Sequence, residues 1–336
     1  MNILDKFGRP IRDLRISVMD KCNFRCPYCM PADIFGESYN FLEKDEILSD
    51  DELIRLAKLF GRMGVTKLRI TGGEPLIRKN LVNIIEEWLK TPGIEDVAMT
   101  TNGYFLAPVA KKLHAAGLHR LTISLDSLDE EVFQIMNGAR SSVARVLEAI
   151  KEAQAAGFDK LKINCVVKKG VNDHTIVDLA RHFKGTGIIV RFIEYMDVGN
   201  LNGWKLDDVV TAADILKLVG SAFPLVPLEE NYRGEVANRY GYADGSGEIG
   251  IIASVTQPFC GDCTRVRLSA AGELFTCLFG NKQFDLRDMM REGSTDDEII
   301  ETLTNIWQNR NDRYSEMRTS FTKLPAKGAE MYRIGG

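Results

Sequence analysis

The sequence lacks an excess of positive charge. Its 43 Lys and Arg residues are outnumbered by 47 Asp and Glu residues, which gives a formal net charge of −4. General nucleic-acid binding uses cationic surface to neutralise phosphates, so this balance argues against such a role. Long apolar segments are also missing: no run approaches the roughly 20 residues that span a bilayer, and the N-terminal MNILDKFGRP has no apolar signal-peptide core. These absences predict a protein that is neither membrane-bound nor exported.

The cysteines are not spread through the chain as a disulfide framework would require. Their number is seven, which is odd, and six of them form two tight groups. Such grouping indicates reduced thiols that bind metal in the cytoplasm. With 336 residues, of which 45% are hydrophobic, the chain is long enough for one large barrel or for two domains.

The first cysteine trio comprises Cys22, Cys26 and Cys29, in the spacing C-x3-C-x2-C. A cubane iron–sulfur cluster takes four ligands, so three thiolates leave one iron open to a ligand that is not protein. Zinc is the alternative, but a structural zinc site is closed by a fourth Cys or His, and the nearest His downstream is His114. The spacing therefore favours a cluster with an open iron.

Strand-like segments alternate with helical ones through the first part of the chain. Ser49 and Glu52 form a capping box that opens a helix over Asp50–Arg62, and further helices are predicted over Pro108–Ala116 and Ser142–Ala156. The predicted strands are Leu14–Val18, Lys67–Thr71, Val97–Thr101, Arg120–Leu125, Lys160–Val167 and Ile188–Tyr195. Six βα units in succession predict an α/β fold whose parallel sheet is closed or partly closed as a barrel.

Polar residues recur at every second position of these strands, although buried parallel strands are usually apolar throughout. The polar positions are Arg15, Ser17, Arg69, Thr71, Thr100, Asn102, Ser124, Asp126, Lys162 and Asn164. Their face would line a lumen that is entered at the C-terminal ends of the strands. Cations there are costly unless an anion pairs with them, which favours a polyanionic small molecule as the ligand. The alternative is pairing with internal carboxylates such as Asp126 or Glu194.

The alternation ends near residue 200, and a second cysteine trio follows. Cys260, Cys263 and Cys277 have the spacing C-x2-C-x13-C, and a hairpin over Thr264–Leu278 would return Cys277 to Cys263. Three sulfurs without a nearby fourth ligand suggest a second cluster with an open iron. A zinc site completed by a distant side chain is the alternative. Beyond the trio, residues 283–310 are predicted to be helical.

Arg265 and Arg267 alternate on the strand that leaves Cys263, so both guanidinium groups fall on one face. Planar bidentate donors beside a metal suit a phosphate-bearing or otherwise anionic ligand. The alternative is that the two arginines are solvated charges on an edge strand. Their position next to the cysteines favours the first interpretation.

Three features together resemble the radical S-adenosylmethionine (SAM) superfamily. They are the cysteine loop after the first strand, Gly72-Gly73-Glu74-Pro75 after the second, and the run of six βα units. The resemblance implies a [4Fe–4S] cluster whose open iron is chelated by the amino and carboxylate groups of SAM. It also implies that the glycine segment approaches the methionine moiety, which a Cβ at Gly73 would obstruct.

The second trio, the Arg-Val-Arg sequence beside it and the terminal Gly335-Gly336 are similar to the family of molybdenum cofactor biosynthesis protein A, the GTP 3',8-cyclases. The similarity extends over essentially the whole chain. It implies a partial (βα)6 TIM-like barrel over residues 1–225 and a C-terminal region over residues 226–336 that carries a second [4Fe–4S] cluster. The implied reaction converts GTP to 3',8-cyclo-7,8-dihydroguanosine 5'-triphosphate, the first step of molybdenum cofactor biosynthesis.

The resemblance also implies roles for individual residues. The implied cluster ligands are Cys22, Cys26 and Cys29 for the SAM cluster and Cys260, Cys263 and Cys277 for the cluster that binds GTP. The implied SAM contacts are Tyr28, Gly73, Ser124 and Met196. The implied GTP contacts are Arg15, Arg69, Thr100, Lys162, Arg265, Val266 and Arg267. The residues implied to act in catalysis are Arg15, Arg265, Arg267, Gly335 and Gly336, the last two in a tail that reaches into the active site.

The same resemblance implies a homodimer, an external low-potential electron donor and a cyclic pyranopterin monophosphate synthase that receives the product, with no nucleic acid and no membrane as partners. Two rival functions are less well supported. Radical SAM enzymes that modify peptides or tetrapyrroles commonly have seven or more C-terminal cysteines, and this chain has three there. A non-catalytic electron carrier with two clusters would close each cluster with four cysteines.

Overall fold

The computed structural model of the protein describes residues 3–199, 201–317 and 329–335. The described strands form one sheet of twelve. They are β1 (Asp13–Ser17), β2 (Lys67–Thr71), β3 (Asp96–Thr101), β4 (Arg120–Ser124), β5 (Lys160–Val167), β6 (Ile189–Glu194), β7 (Leu225–Leu228), β8 (Asn238–Tyr242), β9 (Glu248–Ile252), β10 (Arg265–Leu268), β11 (Glu273–Phe275) and β12 (Phe284–Asp285).

Helices cover the sheet between successive strands. The α-helices are α1 (Asp50–Arg62), α2 (Leu81–Leu89), α3 (Ala110–Ala115), α4 (Glu130–Asn137), α5 (Val143–Ala155), α6 (Ile176–Phe183), α7 (Ala212–Ala222), α8 (Leu286–Arg291), α9 (Asp296–Gln308), α10 (Tyr314–Met317) and α11 (Met331–Ile334). Short 3-10 helices lie at Pro75–Ile77, Asp173–Thr175 and Leu206–Asp208. Within the described ranges, no helix combines the length and the apolar character needed to cross a bilayer.

The first six strands lie side by side in chain order and are all parallel. The later strands then extend both edges of this (βα)6 unit. On one side β10 pairs in parallel with β1 and continues into antiparallel β11 and β12. On the other side β9 pairs in parallel with β6 and continues into antiparallel β8 and β7. Among the described strands β12 and β7 lie at the two ends of the sheet and do not pair with each other, so the sheet is a partial barrel, which confirms the predicted fold class.

The first six strands follow the sequence prediction to within one residue at each end. Leu14 and Ile16 are completely buried against the helices, as are Leu53 and Phe60 of α1. The predicted capping box at Ser49 is confirmed, because its hydroxyl and its backbone N–H both bond to Glu52. The period-two pattern therefore divides each strand into an apolar helix-facing side and a polar inner side.

The predicted helix over residues 283–310 is wrong as a single element. The segment begins in β12, α8 ends at Arg291, and α9 starts only at Asp296. Gly293 separates the two helices with a φ of +92°, a left-handed conformation that a continuing helix cannot adopt. The boundary at residues 225 and 226 remains a prediction, since the sheet continues through the C-terminal region.

Candidate active site

Two adjoining cavities open on the polar inner side of the sheet. The first cavity has a volume of about 1130 Å³ and is lined by Cys22, Cys26 and Cys29. The second cavity has a volume of about 1150 Å³, and its lining includes all three cysteines of the second trio. Both volumes include space open to solvent. The cavities share a wall that is formed by Asn164, Ile193 and Met196.

The first trio lies on a short loop after β1 whose shape is fixed by its own hydrogen bonds. The carbonyl of Cys26 accepts bonds from the backbone N–H of Cys29 at 3.0 Å and of Met30 at 2.8 Å. Arg25 donates from Nη1 to the carbonyls of Cys22 at 2.8 Å and Phe24 at 2.7 Å. The three sulfurs are therefore presented together to the first cavity.

The thiols of the first trio are poor acids in this environment. Burial raises the pKa of Cys22 to about 12, and burial likewise raises the pKa of Cys26 and of Cys29. A buried thiolate without a strong cationic neighbour is stabilised by coordination to a metal, which deprotonates the thiol outright. This donor set fits an iron–sulfur cluster that takes three protein ligands.

The glycine segment after β2 packs directly on the cysteine loop. A Cβ on Gly73 would lie 2.3 Å from the carbonyl oxygen of Lys21, and the Gly73 N–H donates to the carbonyl of Met19 at 2.8 Å. The missing side chain of Gly73 therefore admits the protein's own backbone, and its expected approach to SAM stays a prediction. The carboxylate of Glu74 anchors the segment by accepting bonds from Thr101 Oγ1 at 2.7 Å and the Asn102 N–H at 2.8 Å.

The residues expected to contact SAM all line the first cavity, namely Tyr28, Gly73, Ser124 and Met196. The Tyr28 hydroxyl donates to Asp126 at 2.8 Å. Thr100 was expected among the GTP contacts, yet it also lines the first cavity and not the second. Thr100 lies near the C-terminal end of β3, which places it at the first cavity. Its Oγ1 is buried without a hydrogen-bond partner among the described residues.

The second cavity is strongly cationic. The basic residues that line it are Arg15, Arg69, Arg120, Lys162, Arg191, Arg265, Arg267 and Arg310. Arg120 pairs with Asp96, and Arg310 pairs with Asp5 and Asp312. The other six form no ion pair within the described part of the chain. The lining of the second cavity therefore carries positive charge that no ion pair among the described residues neutralises.

The internal carboxylates proposed as alternative partners are occupied elsewhere. Asp126 accepts bonds from the Tyr28 hydroxyl and from the Val166 N–H at 2.8 Å. Glu194 accepts bonds from the backbone N–H of Ala212 at 2.6 Å and of Val255 at 2.7 Å. Neither carboxylate neutralises the arginines, so that alternative is wrong.

The crowding of cations lowers their proton affinity. Burial, with Arg267 and Arg69 close by, holds the pKa of Arg15 well below its usual range. Burial and neighbouring arginines also lower the pKa of Arg191 to about 9 and that of Lys162 to about 8. A polyanion in the cavity would relieve this repulsion, which makes the cavity suitable for a phosphate-rich ligand.

Strand register explains which basic residues meet. Arg15 of β1 lies opposite Arg69 of β2 on one side and Arg267 of β10 on the other. Alternation along β10 turns the side chain of Val266 into the hydrophobic core, so its expected contact with GTP, which stays a prediction, is left to its backbone. Arg191 and Arg120 were missed by the sequence reasoning, although the same period-two rule applied to β6 and β4 would have found them.

The second trio comes together as the predicted hairpin requires, since β10 and β11 are antiparallel. Burial would raise the pKa of Cys263, but Arg265 and Arg310 outweigh it and lower this pKa to about 6. Within the described ranges, no three His, Cys, Asp or Glu side chains are arranged to hold one metal ion. In a cubane cluster each thiolate binds a different iron, so the three sulfurs do not have to converge on a single ion. The second trio, which lies beside cationic groups, therefore fits an iron–sulfur cluster.

The C-terminal tail reaches the boundary between the two cavities. Arg267 donates from Nη1 to the Gly335 carbonyl at 3.1 Å. Gly335 has a φ of +64°, and a Cβ there would lie 2.0 Å from Thr71 Oγ1, so only glycine fits. Gly336 lies outside the described residues. Tyr332 fixes the tail upstream, because its ring packs on Phe35 with centroids 5.0 Å apart.

Comparisons with known proteins agree with this architecture. The model of the Radical SAM superfamily matches residues 16–183, and the model described as Molybdenum Cofactor Synthesis C matches residues 188–316. A solved structure, native anSMEcpe with bound AdoMet, has the same fold with a TM-score of 0.58 and 16% identity, over 86% of this chain and 82% of that chain.

Two curated relatives carry the name GTP 3',8-cyclase. The relative from Xanthomonas campestris pv. campestris (strain B100) is 50% identical over 332 residues, which cover 99% of this chain and 97% of the relative. The relative from Staphylococcus haemolyticus (strain JCSC1435) is 48% identical over 337 residues, which cover 99% of each. The chain therefore belongs to the GTP 3',8-cyclase family of the radical SAM superfamily, whose enzymes use SAM and a [4Fe–4S] cluster.

Proposed function

We propose that this protein converts GTP to 3',8-cyclo-7,8-dihydroguanosine 5'-triphosphate, the first step of molybdenum cofactor biosynthesis. One observation carries the proposal. Two cysteine-lined cavities share a wall, and only the second has a surplus of unpaired cations. This division supports a cofactor in the first cavity and a triphosphate in the second, with the reacting atoms between them.

In the first cavity, Cys22, Cys26 and Cys29 hold the cluster, and Tyr28, Gly73, Ser124 and Met196 surround SAM. The bound cofactor supplies a primary carbon radical, which is needed because no ionisable side chain is basic enough to break an unactivated C–H bond at the ribose C3'. The apolar side chains of Ile193 and Met196 on the shared wall limit the entry of water and other hydrogen donors.

In the second cavity, basic side chains clamp the triphosphate so that the ribose C3' faces the first cavity. These side chains are Arg15, Arg69, Lys162, Arg191, Arg265 and Arg267. Cys260, Cys263 and Cys277 would hold a second [4Fe–4S] cluster, which with three protein ligands would offer an open iron to the purine of GTP. Thr100, on the wall of the first cavity, meets the ribose end of GTP, and Val266 contributes only through its backbone. Gly335, whose carbonyl accepts a hydrogen bond from Arg267, and Gly336 take part in catalysis.

The direct test is anaerobic reconstitution of the protein with iron and sulfide, followed by reduction and addition of SAM with or without GTP. The proposal expects 5'-deoxyadenosine only in the presence of GTP, together with a cyclised product of the mass of GTP. Equal cleavage of SAM with and without GTP would support the radical chemistry but would contradict GTP as the substrate. No cleavage by fully loaded clusters would favour a non-catalytic electron carrier.

The cationic cavity also makes GTP binding sensitive to pH. The pKa of Lys162 is lowered to about 8, so below pH 8 its ammonium is already charged when GTP arrives. Above pH 8 binding must first protonate it, and we expect the affinity for GTP to fall by up to roughly tenfold per pH unit. Anaerobic calorimetry from neutral to alkaline pH measures this. Lys162→Arg should move the fall to higher pH, whereas an affinity that stays constant up to pH 9.5 in the unmodified protein would contradict the prediction.

The tail is predicted to depend on an aromatic contact. The ring of Tyr332 packs on Phe35, and its hydroxyl lies 2.8 Å from that of Tyr39. Truncation of a buried aromatic ring costs about 3–5 kcal/mol, so Tyr332→Ala should release the tail and slow product formation at least roughly tenfold.

The matched control for the tail is Tyr332→Phe, which keeps the ring and loses one hydrogen bond worth about 1 kcal/mol. Product formation by this variant should stay within roughly fivefold of the unmodified protein. Iron content should be unchanged in both variants. A normal rate in Tyr332→Ala would mean that the position of Gly335 has no part in catalysis.

The remaining partners are proposals that rest on family membership. The proposed partners are a second copy of the chain in a homodimer, an external low-potential electron donor, and a cyclic pyranopterin monophosphate synthase that takes the product. The proposed location is the cytoplasm.

A further inference from the structure

A buried arginine of the second cavity contacts the second trio directly. Arg310, just after α9, donates from Nη1 to the carbonyl of Cys263 at 2.7 Å and from Nε to the carbonyl of Thr276 at 3.1 Å. Its Nη2 lies 3.2 Å from the sulfur of Cys263. One guanidinium group thus binds the backbone at Cys263 and at Thr276, the residue before Cys277, and it also lies against the sulfur of Cys263.

A second arginine holds the remaining cysteine. Arg9 donates from Nη1 to the carbonyl of Cys260 at 2.7 Å. Asp5 lies between the two arginines and accepts bonds from Arg9 Nε at 2.6 Å and Arg310 Nη1 at 3.2 Å. The side chains of Asp5, Arg9 and Arg310 have exposed fractions of 0%, 3% and 1%. The three therefore form a buried, hydrogen-bonded support for the trio, which we call the arginine support.

The surroundings hold the arginine support in place. The Trp307 indole donates to the carbonyl of Arg9 at 3.1 Å, and the guanidinium of Arg310 lies 4.6 Å from the Trp307 ring centroid. The donors of Arg310 are directed at two protein carbonyls, at Asp5 and at the sulfur of Cys263. A donor directed at a thiolate stabilises the reduced, more negative form of an iron–sulfur cluster and so raises its reduction potential.

We propose that Arg310, held by Asp5 and Arg9, is a positioning residue that fixes the second trio and sets the reduction potential of the second cluster. The inference deepens the proposed function and rests on the second cluster named there. It assigns a role to the N-terminal segment, which supplies two of the three supporting side chains although it lies 251 residues from Cys260 in the chain.

The test is a redox titration followed by electron paramagnetic resonance. The full chain carries Cys22→Ala, Cys26→Ala and Cys29→Ala, so that only the second cluster contributes to the signal. Arg310→Gln should make the midpoint potential more negative, because the charged donor to sulfur is lost. Arg310→Lys keeps the charge with fewer donors and should shift the potential less.

The matched control is Arg233→Gln. Arg233 belongs to the same region and pairs with Asp262, between Cys260 and Cys263, but its side chain is 86% exposed. This variant should keep the unmodified potential. A potential in Arg310→Gln equal to that of the control would overturn the potential-setting role.

The positioning role is tested without any cluster. Hydrogen exchange of the apoprotein should show faster exchange of the amides in residues 259–265 in Arg310→Gln, and unchanged exchange in Arg233→Gln. Equal exchange in the two variants would overturn the positioning role. If the unmodified chain bound no second cluster, the proposed function would fail, while this exchange measurement would still decide the contact between Arg310 and the trio.

Discussion

Arg265→Ala and Arg267→Ala should each weaken GTP binding while the iron content of the protein stays unchanged. Both arginines are buried at the second cavity and form no ion pair within the described residues. Removing one partner of a buried charge pair costs about 2–5 kcal/mol, which corresponds to roughly 30- to 4,000-fold in affinity. Anaerobic calorimetry with GTP measures the loss directly.

The two substitutions should differ in their effect on turnover. Arg267 also donates to the Gly335 carbonyl, so Arg267→Ala should slow product formation further than its loss of affinity alone explains. The matched control is Arg239→Ala, since Arg239 is a partly buried arginine that pairs with Glu248 and lines neither cavity. Loss of iron in either active-site variant would show instead that these arginines support the second trio.

Cys22→Ser should abolish formation of 5'-deoxyadenosine. The cluster in the first cavity takes three thiolates and keeps one iron open, so the loss of one thiolate leaves too few ligands to hold it. The hydroxyl of serine does not replace a thiolate as a ligand of soft iron–sulfur chemistry. We expect the iron of the first cluster to be lost and the iron bound by the second trio to remain.

The control for this prediction is Cys165→Ala. Cys165 is completely buried in the core and belongs to neither cavity lining. Its replacement removes a thiol without removing a ligand, so iron content and SAM cleavage should be retained. Persistent 5'-deoxyadenosine formation by Cys22→Ser would contradict the assignment of the first trio as ligands of the SAM cluster.

Local sequence patterns predicted most of the sheet and half of the candidate site. The strands β1 to β6 follow from apolar residues at alternate positions, and the same alternation places Arg15, Arg69 and Lys162 on the inner face. The trios follow from cysteine spacing, because a cluster ligand set is largely confined to one loop or one hairpin. The contacts of Val266 and Gly73 came from family resemblance and stay predictions.

The long-range contacts could not be predicted in this way. No sequence pattern indicates that β10 adds to β1, and only that pairing brings Arg267 beside Arg15. The break at Gly293 was also missed, because apolar periodicity alone does not mark a left-handed residue between two helices.

By itself, the sequence determined the chemistry of this protein: two incomplete sets of thiolates, a row of cations on one face of a parallel sheet, and a glycine segment beside the first set. Such features depend on residue type and short spacing, which every strand or loop carries locally. Only the tertiary structure decided which cations lack a carboxylate, that Gly335 meets Arg267, and that Arg310 faces Cys263 from 47 residues away. Those facts depend on how distant segments pack, because pairing and burial are properties of the assembled core and not of any segment alone.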